Sequence, residues 1–214
     1  MIIDLIEPAI SNYAMEYSTH DDALLEEIEV YTEKHHKEAH MLSGPLQGAF
    51  LSMVSRMIKP KRILEIGTFV GYSALCLAKG LREEGELHTL EKRKEDADIA
   101  QAYFDRSTLK KQIHLHIGDA AAIIEQLEME WDLIFVDADK TGYLNYYNFL
   151  IEKVKPGTWF LFDNVFFHGE VIKNPIKGKS AKAISEFNEF IKNDNRVEKV
   201  MLTIRDGILL MYKK

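Results

Sequence analysis

The stretch Arg62 to Ala78, R-I-L-E-I-G-T-F-V-G-Y-S-A-L-C-L-A, most limits what this chain can fold into. A short apolar run stops at a glycine, turns, and meets a second glycine that opens a helical pattern. An α/β protein builds a nucleotide-type cradle in this way. Gly67 and Gly71 let the backbone approach a ligand closely, and the following helix start offers unpaired N–H groups. Three residues lie between the glycines. The pattern is therefore E-x-G-x-x-x-G and not the dinucleotide fingerprint G-x-G-x-x-G, so the tight diphosphate approach of that fingerprint is not supported.

From Arg62 onward, strand and helix patterns alternate. Strands are expected at 62–66, 86–90, 112–117, 132–136 and 158–162, and helices at 71–82, 93–106, 119–127 and 141–154. Such a series predicts a doubly wound, mostly parallel α/β sheet with helices on both faces. A helix over 180–192, carrying Ile184, Phe187, Phe190 and Ile191, precedes two β-rich runs split by Arg205-Asp206-Gly207. That Asp-Gly predicts an antiparallel C-terminal hairpin, for seven strands in all. The first ~60 residues are expected to be helical, a cap on a sheet region at 61–214 in one domain. Asp21 and Asp22 precede a stripe of Leu24, Ile28, Tyr31 and His35. Gly44-Pro45 opens a helix with Leu46, Phe50, Met53, Val54 and Met57 on its apolar side, and Lys59-Pro60 ends it.

Composition narrows the partners. The net charge of -7 leaves no basic stripe to neutralise phosphates, which argues against nucleic acid. The lone Cys76 excludes an internal disulfide framework and a multi-cysteine zinc site, and its place on a helix predicts a buried, inert thiol. No run of 18 apolar residues is present, and the start M-I-I-D-L-I-E-P lacks the basic opening of a signal peptide, so a cytoplasmic protein without membrane partners is expected. The N-terminal helices carry more apolar stripe than a sheet cover needs, which points to a homodimer.

Ligands of open α/β sheets bind beyond the carboxyl ends of the strands. Those ends here read Glu65-Ile66-Gly67, Glu91, Gly118-Asp119-Ala120, Asp137-Ala138-Asp139-Lys140 and Asp163-Asn164. Glu65 suits a cationic ligand better than a pyrophosphate, and S-adenosylmethionine, with its sulfonium and ammonium, fits that charge logic. Glu91 sits where an acid accepts from ribose hydroxyls, although a solvated strand-end acid would look the same. Asp137, Asp163 and Asn164 follow strands expected to be adjacent. Two carboxylates and an amide oxygen are hard ligands suited to Mg²⁺, Mn²⁺ or Ca²⁺, and three ligands leave positions open. Asp163-Asn164 also reads as a simple turn pair. Lys140, near such a cation, would lose its proton more easily and become a general base; it also reads as a solvated helix-start lysine. His36 and His40 mimic a metal pair but read better as a solvated helix face. His114 and His116 alternate on one strand face. His168, in V-F-F-H-G, is a candidate substrate contact.

Taken together, these motifs resemble the metal-dependent class I O-methyltransferases of the caffeoyl-CoA and catechol type, from about Tyr13 to Tyr212. The most specific piece is F-V-D-A-D-K-x-x-Y-L-N-Y at 135–146 with the D-N at 163–164. M-L-S-G-P-L-Q-G at 41–48, L-E-I-G-T-F-x-G-Y-S at 64–73 and R-D-G-I at 205–208 also match. The resemblance implies S-adenosylmethionine on Ser43, Glu65, Gly67, Tyr72, Ser73, Glu91, Gly118, Ala120 and Asp137. It implies a divalent metal on Asp137, Asp163 and Asn164, and Lys140 and Asp137 as catalytic residues. Asp139 carries no assigned role. Phe167 and His168 stand where plant-type members have tryptophan and asparagine, so these two are read as substrate contacts. A small catechol-like phenol is the expected acceptor. A nicotinamide dehydrogenase on a similar sheet, or a non-catalytic module binding the same cofactor or metal, remain as alternatives at this stage.

Overall fold

The structure, a computed structural model, describes residues 7–19, 22–127 and 129–214. Asp21, expected at a helix start, lies outside them. The first helix, α1 (Pro8–Glu16), opens on a proline, whose missing N–H costs nothing at that position. Two compact units follow, one spanning Asn12–Met129 and the other built around Glu130–Lys214.

In the first unit, α2 (Ala23–His35) is capped by Asp22, whose carboxylate accepts from Leu25 N at 3.2 Å. Its inward face is Leu25, Ile28 and Thr32, while Tyr31 and His35 of the expected stripe are exposed. Thr32 can lie inside because its hydroxyl donates to Ile28 O at 2.6 Å, which leaves an apolar methyl to pack. A larger departure occurs in α3 (Gly44–Ile58). Of the expected apolar face only Val54 is buried; Met53 is 55% and Met57 70% exposed. The inward residues are instead Gln47, Gly48, Leu51, Val54 and Ser55.

Close approach to α4 (Tyr72–Ala78) explains the choice. A Cβ on Gly48 would stand 2.8 Å from the Tyr72 ring. The Ser52 and Ser55 hydroxyls donate to Cys76 O and Leu77 O at 3.1 and 2.6 Å. Small residues that bring two backbones together outcompete the larger apolar ones for the contact. The same approach shortens α4, which ends at Ala78 and not near 82, since a Cβ on Gly80 would lie 2.2 Å from the Ser55 carbonyl carbon. Cys76 is buried, as expected. Strands β1 (Arg62–Ile66), β2 (Glu86–Glu91) and β3 (Ile113–Ile117) pair in parallel in the order β3-β2-β1, with α4 and α5 (Lys94–Arg106) as crossover helices and α6 (Ala120–Gln126) following β3.

In the second unit, β4 (Leu133–Val136) pairs in parallel with β5 (Trp159–Asp163). The helix between them, α7 (Tyr143–Lys153), is preceded by a 3₁₀ turn at Lys140–Gly142. Asp139 caps that turn, accepting from Thr141 N and from the Thr141 hydroxyl. After α8 (Lys179–Asn193) come β6 (Val197–Leu202) and β7 (Ile208–Lys213), and β7 runs antiparallel between β5 and β6. The expected hairpin is therefore present. Arg205 and Gly207 turn it with φ of 48° and 87°.

Asp194, just past α8, is buried and holds this unit's edge. Its carboxylate accepts from Tyr147 OH at 2.8 Å and from Arg196 Nη2 at 2.6 Å. The Arg196 hydrogen bond, outweighing burial, pulls the Asp194 carboxyl well below its usual range. A carboxyl depressed by folding contributes stability above its unfolded value near 4 and loses it as pH falls through the lower folded value. Wild type is expected to lose roughly 1–3 kcal/mol as pH drops below about 4, in keeping with charge-assisted bonds. Asp194→Asn should show a flatter acid limb in urea melts at graded pH, and equal slopes in the two proteins would refute the assignment.

Candidate active site

The glycine turn after β1 is held by backbone and by acids. Gly67 and Thr68 donate to Leu90 O at 3.0 and 3.2 Å, and Gly71 N closes the turn on Thr68 O at 2.9 Å. Gly67 and Gly71 take φ of 104° and 88°, which side-chain-bearing residues rarely adopt. Between them Phe69 has φ 51° and is clamped. Its N–H donates to Glu91 Oε2 at 2.7 Å, the Arg93 guanidinium lies 5.5 Å from its ring, and the His36 ring meets it edge-on at 4.6 Å. His36 is thus no part of a solvated face. It sits past the end of α2, nearly buried, with Nε2 3.0 Å from Asp96 Oδ1. His40 is exposed as expected.

Glu91 also accepts from Arg93 N at 2.9 Å, so its carboxylate braces both arms of the cradle, and Gly118 N reaches Glu91 O at 2.9 Å. Glu65 is fully buried and accepts from the Thr89 hydroxyl at 2.5 Å, with Thr68 2.5 Å from that hydroxyl. The two threonines escaped the sequence reading because a threonine in a strand looks like any other β-former. Ser43 and Ser73 are buried, as is the Tyr72 ring at the start of α4. Ser43 precedes α3 without capping it, which leaves its hydroxyl available. Gly118, with φ 150°, leads into α6, which Asp119 caps through Ala121 N at 3.1 Å; Ala120 is the first residue of α6.

The acidic group belongs to the second unit. Val136 pairs with Phe162, so Asp137 and Asp163 follow neighbouring positions at the ends of adjacent strands. Lys140 Nζ donates to Asp137 Oδ1 at 2.7 Å and to Tyr143 OH at 2.8 Å. Tyr143 OH in turn donates to Asp163 O at 2.9 Å. One buried phenol therefore ties the two strand ends together. Tyr143 stands in the motif at 135–146, but its hub role needs the strand register and is invisible in sequence. Asn164 has φ 55°, its N–H donates to Asp163 Oδ1 at 2.7 Å, and its carboxamide makes no hydrogen bond among the described residues. Two carboxylates and that carboxamide are donors of the hard-oxygen type that divalent cations take.

Burial alone would lower the Lys140 pKa. The Asp137 carboxylate, followed by Tyr143 and Asp163, more than reverses that, and the ammonium is raised well above its usual range. The easily lost proton expected of Lys140 is therefore not what these carboxylates alone produce. Burial pushes the Tyr143 phenol upward too. Phe167 and His168 follow with φ of 45° and 54°. His168 N donates to Asp206 Oδ1 at 2.6 Å, and its exposed ring stands 3.6 Å from Asp206 Oδ2. Asp206, read only as a turn residue, thus positions the candidate substrate loop. Among the described residues, four of the six non-glycine residues with positive φ are Phe69, Asn164, Phe167 and His168. Such strain persists only where the surroundings over-determine it, which singles out these two loops as candidate functional segments.

An O-methyltransferase family model matches residues 15–214. A catechol O-methyltransferase from Niastella koreensis is 33% identical, over 80% of this chain and 81% of its own. A caffeoyl-CoA O-methyltransferase from Populus trichocarpa is 30% identical, over 94% and 87%. Among solved structures, an SAH-bound methyltransferase from Podospora anserina superposes with a TM-score of 0.89 at 30% identity, over 96% of this chain and 94% of its own. That likeness shows the Rossmann-like, mostly parallel seven-stranded sheet of class I methyltransferases and removes the dehydrogenase and non-catalytic alternatives. The chain belongs to this O-methyltransferase family and is an S-adenosylmethionine-dependent O-methyltransferase.

Proposed function

We propose that this enzyme methylates one oxygen of a vicinal-diol phenol and depends on a divalent cation, Mg²⁺ before Mn²⁺ or Ca²⁺, held by Asp137, Asp163 and Asn164. The observation that supports the reading is the strand register, Val136 beside Phe162, which brings together the two strand ends that carry Asp137 and Asp163, with Lys140 and Tyr143 bonded between the Asp137 carboxylate and the Asp163 carbonyl. The similarity to a catechol O-methyltransferase supports the acceptor class. When bound, the cation would supply positive charge that favours the ionised form of a phenol.

The chain's own residues do the rest. Glu91, Glu65, Gly67 and Gly118 hold the sulfonium donor, with Ser43, Tyr72, Ser73 and Ala120 around it. As the phenolic oxygen forms its bond to the methyl carbon, the carbon–sulfur bond breaks and leaves S-adenosylhomocysteine. Alignment of oxygen, carbon and sulfur is the main contribution, worth up to ~7–11 kcal/mol in favourable cases. Lys140 is the candidate acceptor of the hydroxyl proton. What keeps it charged is chiefly Asp137, so a base role requires that carboxylate's charge to be offset. Phe167 and His168 would shape acceptor choice.

The test is methyl transfer to a panel of catechols after exhaustive chelation. Turnover should vanish and return with Mg²⁺; undiminished turnover would sink the metal-dependent reading. The reading includes a homodimer, supported by the exposed Met41, Met53 and Met57 around α3. Light scattering that gives a monomer at micromolar concentration would overturn that part.

A further inference from the structure

We infer that Glu86, His88 and His114 form a separate site for a borderline transition-metal ion, Zn²⁺ foremost, at the amino-terminal end of β2 and β3, with His116 as a positioning residue. His88 and His114 are register partners on the parallel pair, and His116 aligns with Leu90. Side chains alternate along strands, so Glu86 and His88 share one face of β2, while His114 and His116 share one face of β3. One ligand atom each from Glu86, His88 and His114 lies within 4.8 Å of the others. His88 Nε2 stands 3.6 Å from Glu86 Oε2. Two ligands of one tetrahedral zinc sit ~3.3–3.5 Å apart, given bonds of ~2.0–2.1 Å. The spacing is that of two ligands sharing an ion.

The remaining ring nitrogen of His88 is already engaged, with Nδ1 2.9 Å from His116 Nε2 and the rings stacked at 5.2 Å. A metal-bound imidazole needs such a partner on its other nitrogen to fix tautomer and ring angle. His114 is exposed and the Glu86 side chain is 43% exposed, so an ion can enter from solvent and keep a water as fourth ligand. Imidazoles with one carboxylate select zinc-like ions over Mg²⁺, which prefers all-oxygen sites. Glu86 opens β2 and Glu91 closes it, about 16 Å away at ~3.3 Å per residue, so the two ligands would not compete.

The experiment titrates the full chain with ZnCl₂ in a large excess of Mg²⁺, which occupies hard-oxygen sites. Calorimetry should show one Zn²⁺ per chain. His114→Gln and Glu86→Gln, both at the surface, should each weaken binding more than ~100-fold, and His116→Gln by roughly 10-fold. Long-range ¹⁵N–¹H spectra should show coordination shifts at one nitrogen each of His88 and His114. Zinc binding at unchanged affinity in the His114→Gln/Glu86→Gln double variant would overturn the site. So would a wild type that binds no zinc, or one whose His88 nitrogens do not respond.

Discussion

Asp137→Ala is expected to lose methyl transfer by at least ~10³-fold, a barrier increase of about 4 kcal/mol. Two effects add. One of the three proposed hard-oxygen ligands would disappear, and the Lys140 ammonium, mostly buried beside Tyr143, would lose its carboxylate partner at 2.7 Å. Leaving a buried donor without its partner costs ~1–3 kcal/mol, so the variant should melt earlier but still fold. Asp163→Ala should behave alike, with the added loss of the acceptor for Asn164 N. S-adenosylmethionine should still bind both variants, more weakly in Asp137→Ala by the one contact expected of that carboxylate, because Glu65, Glu91 and the glycine turn are untouched. Added Mg²⁺ should rescue either variant poorly. Initial rates on a vicinal diphenol, paired with cofactor calorimetry, separate the outcomes. Near-wild-type turnover in a folded Asp137→Ala would remove the residue from the chemistry, whereas loss of cofactor binding would move it to the donor site.

Glu91→Ala should weaken cofactor affinity by ~10²-fold or more while metal affinity stays nearly intact. The ribose hydroxyls would lose a charged acceptor, worth ~1.5–3 kcal/mol per bond. The structure enlarges the expected effect. The same carboxylate accepts from Phe69 N at 2.7 Å and Arg93 N at 2.9 Å, so the turn that carries Gly67 and Gly71 loses its brace. Glu91→Gln keeps one acceptor oxygen and should fall between wild type and alanine. Calorimetry with unchanged affinity in Glu91→Ala would take Glu91 out of the site.

The parallel strands were readable because each is a short apolar run closed by a glycine or an acid. β1 matches its expected range, β2, β3 and β4 differ by one residue at one end, and β5 is shifted by one residue at both ends. The Arg205-Asp206-Gly207 turn announced the C-terminal hairpin because left-handed φ leaves few residue choices. Helix faces were less readable. On α3 Val54 of the expected face is buried, Leu46 and Phe50 are half-buried and Met53 and Met57 are exposed, since hydropathy cannot reveal that glycine and serine are needed where helix axes nearly touch.

By itself the sequence determined the order of elements, the family motifs and the chemical types at each strand end, since these depend on local periodicity and spacing. Tertiary structure decided which types meet. Asp137 and Asp163, 26 positions apart in the chain, become neighbours only through the β4–β5 register, and Tyr143 becomes their link only because α7 returns across those strands. His36 turns from a solvated residue into the buttress of Phe69, and His88, His114 and His116 become one cluster, for the same reason. Contacts between residues distant in sequence are set by packing and strand pairing, and local patterns carry no record of them.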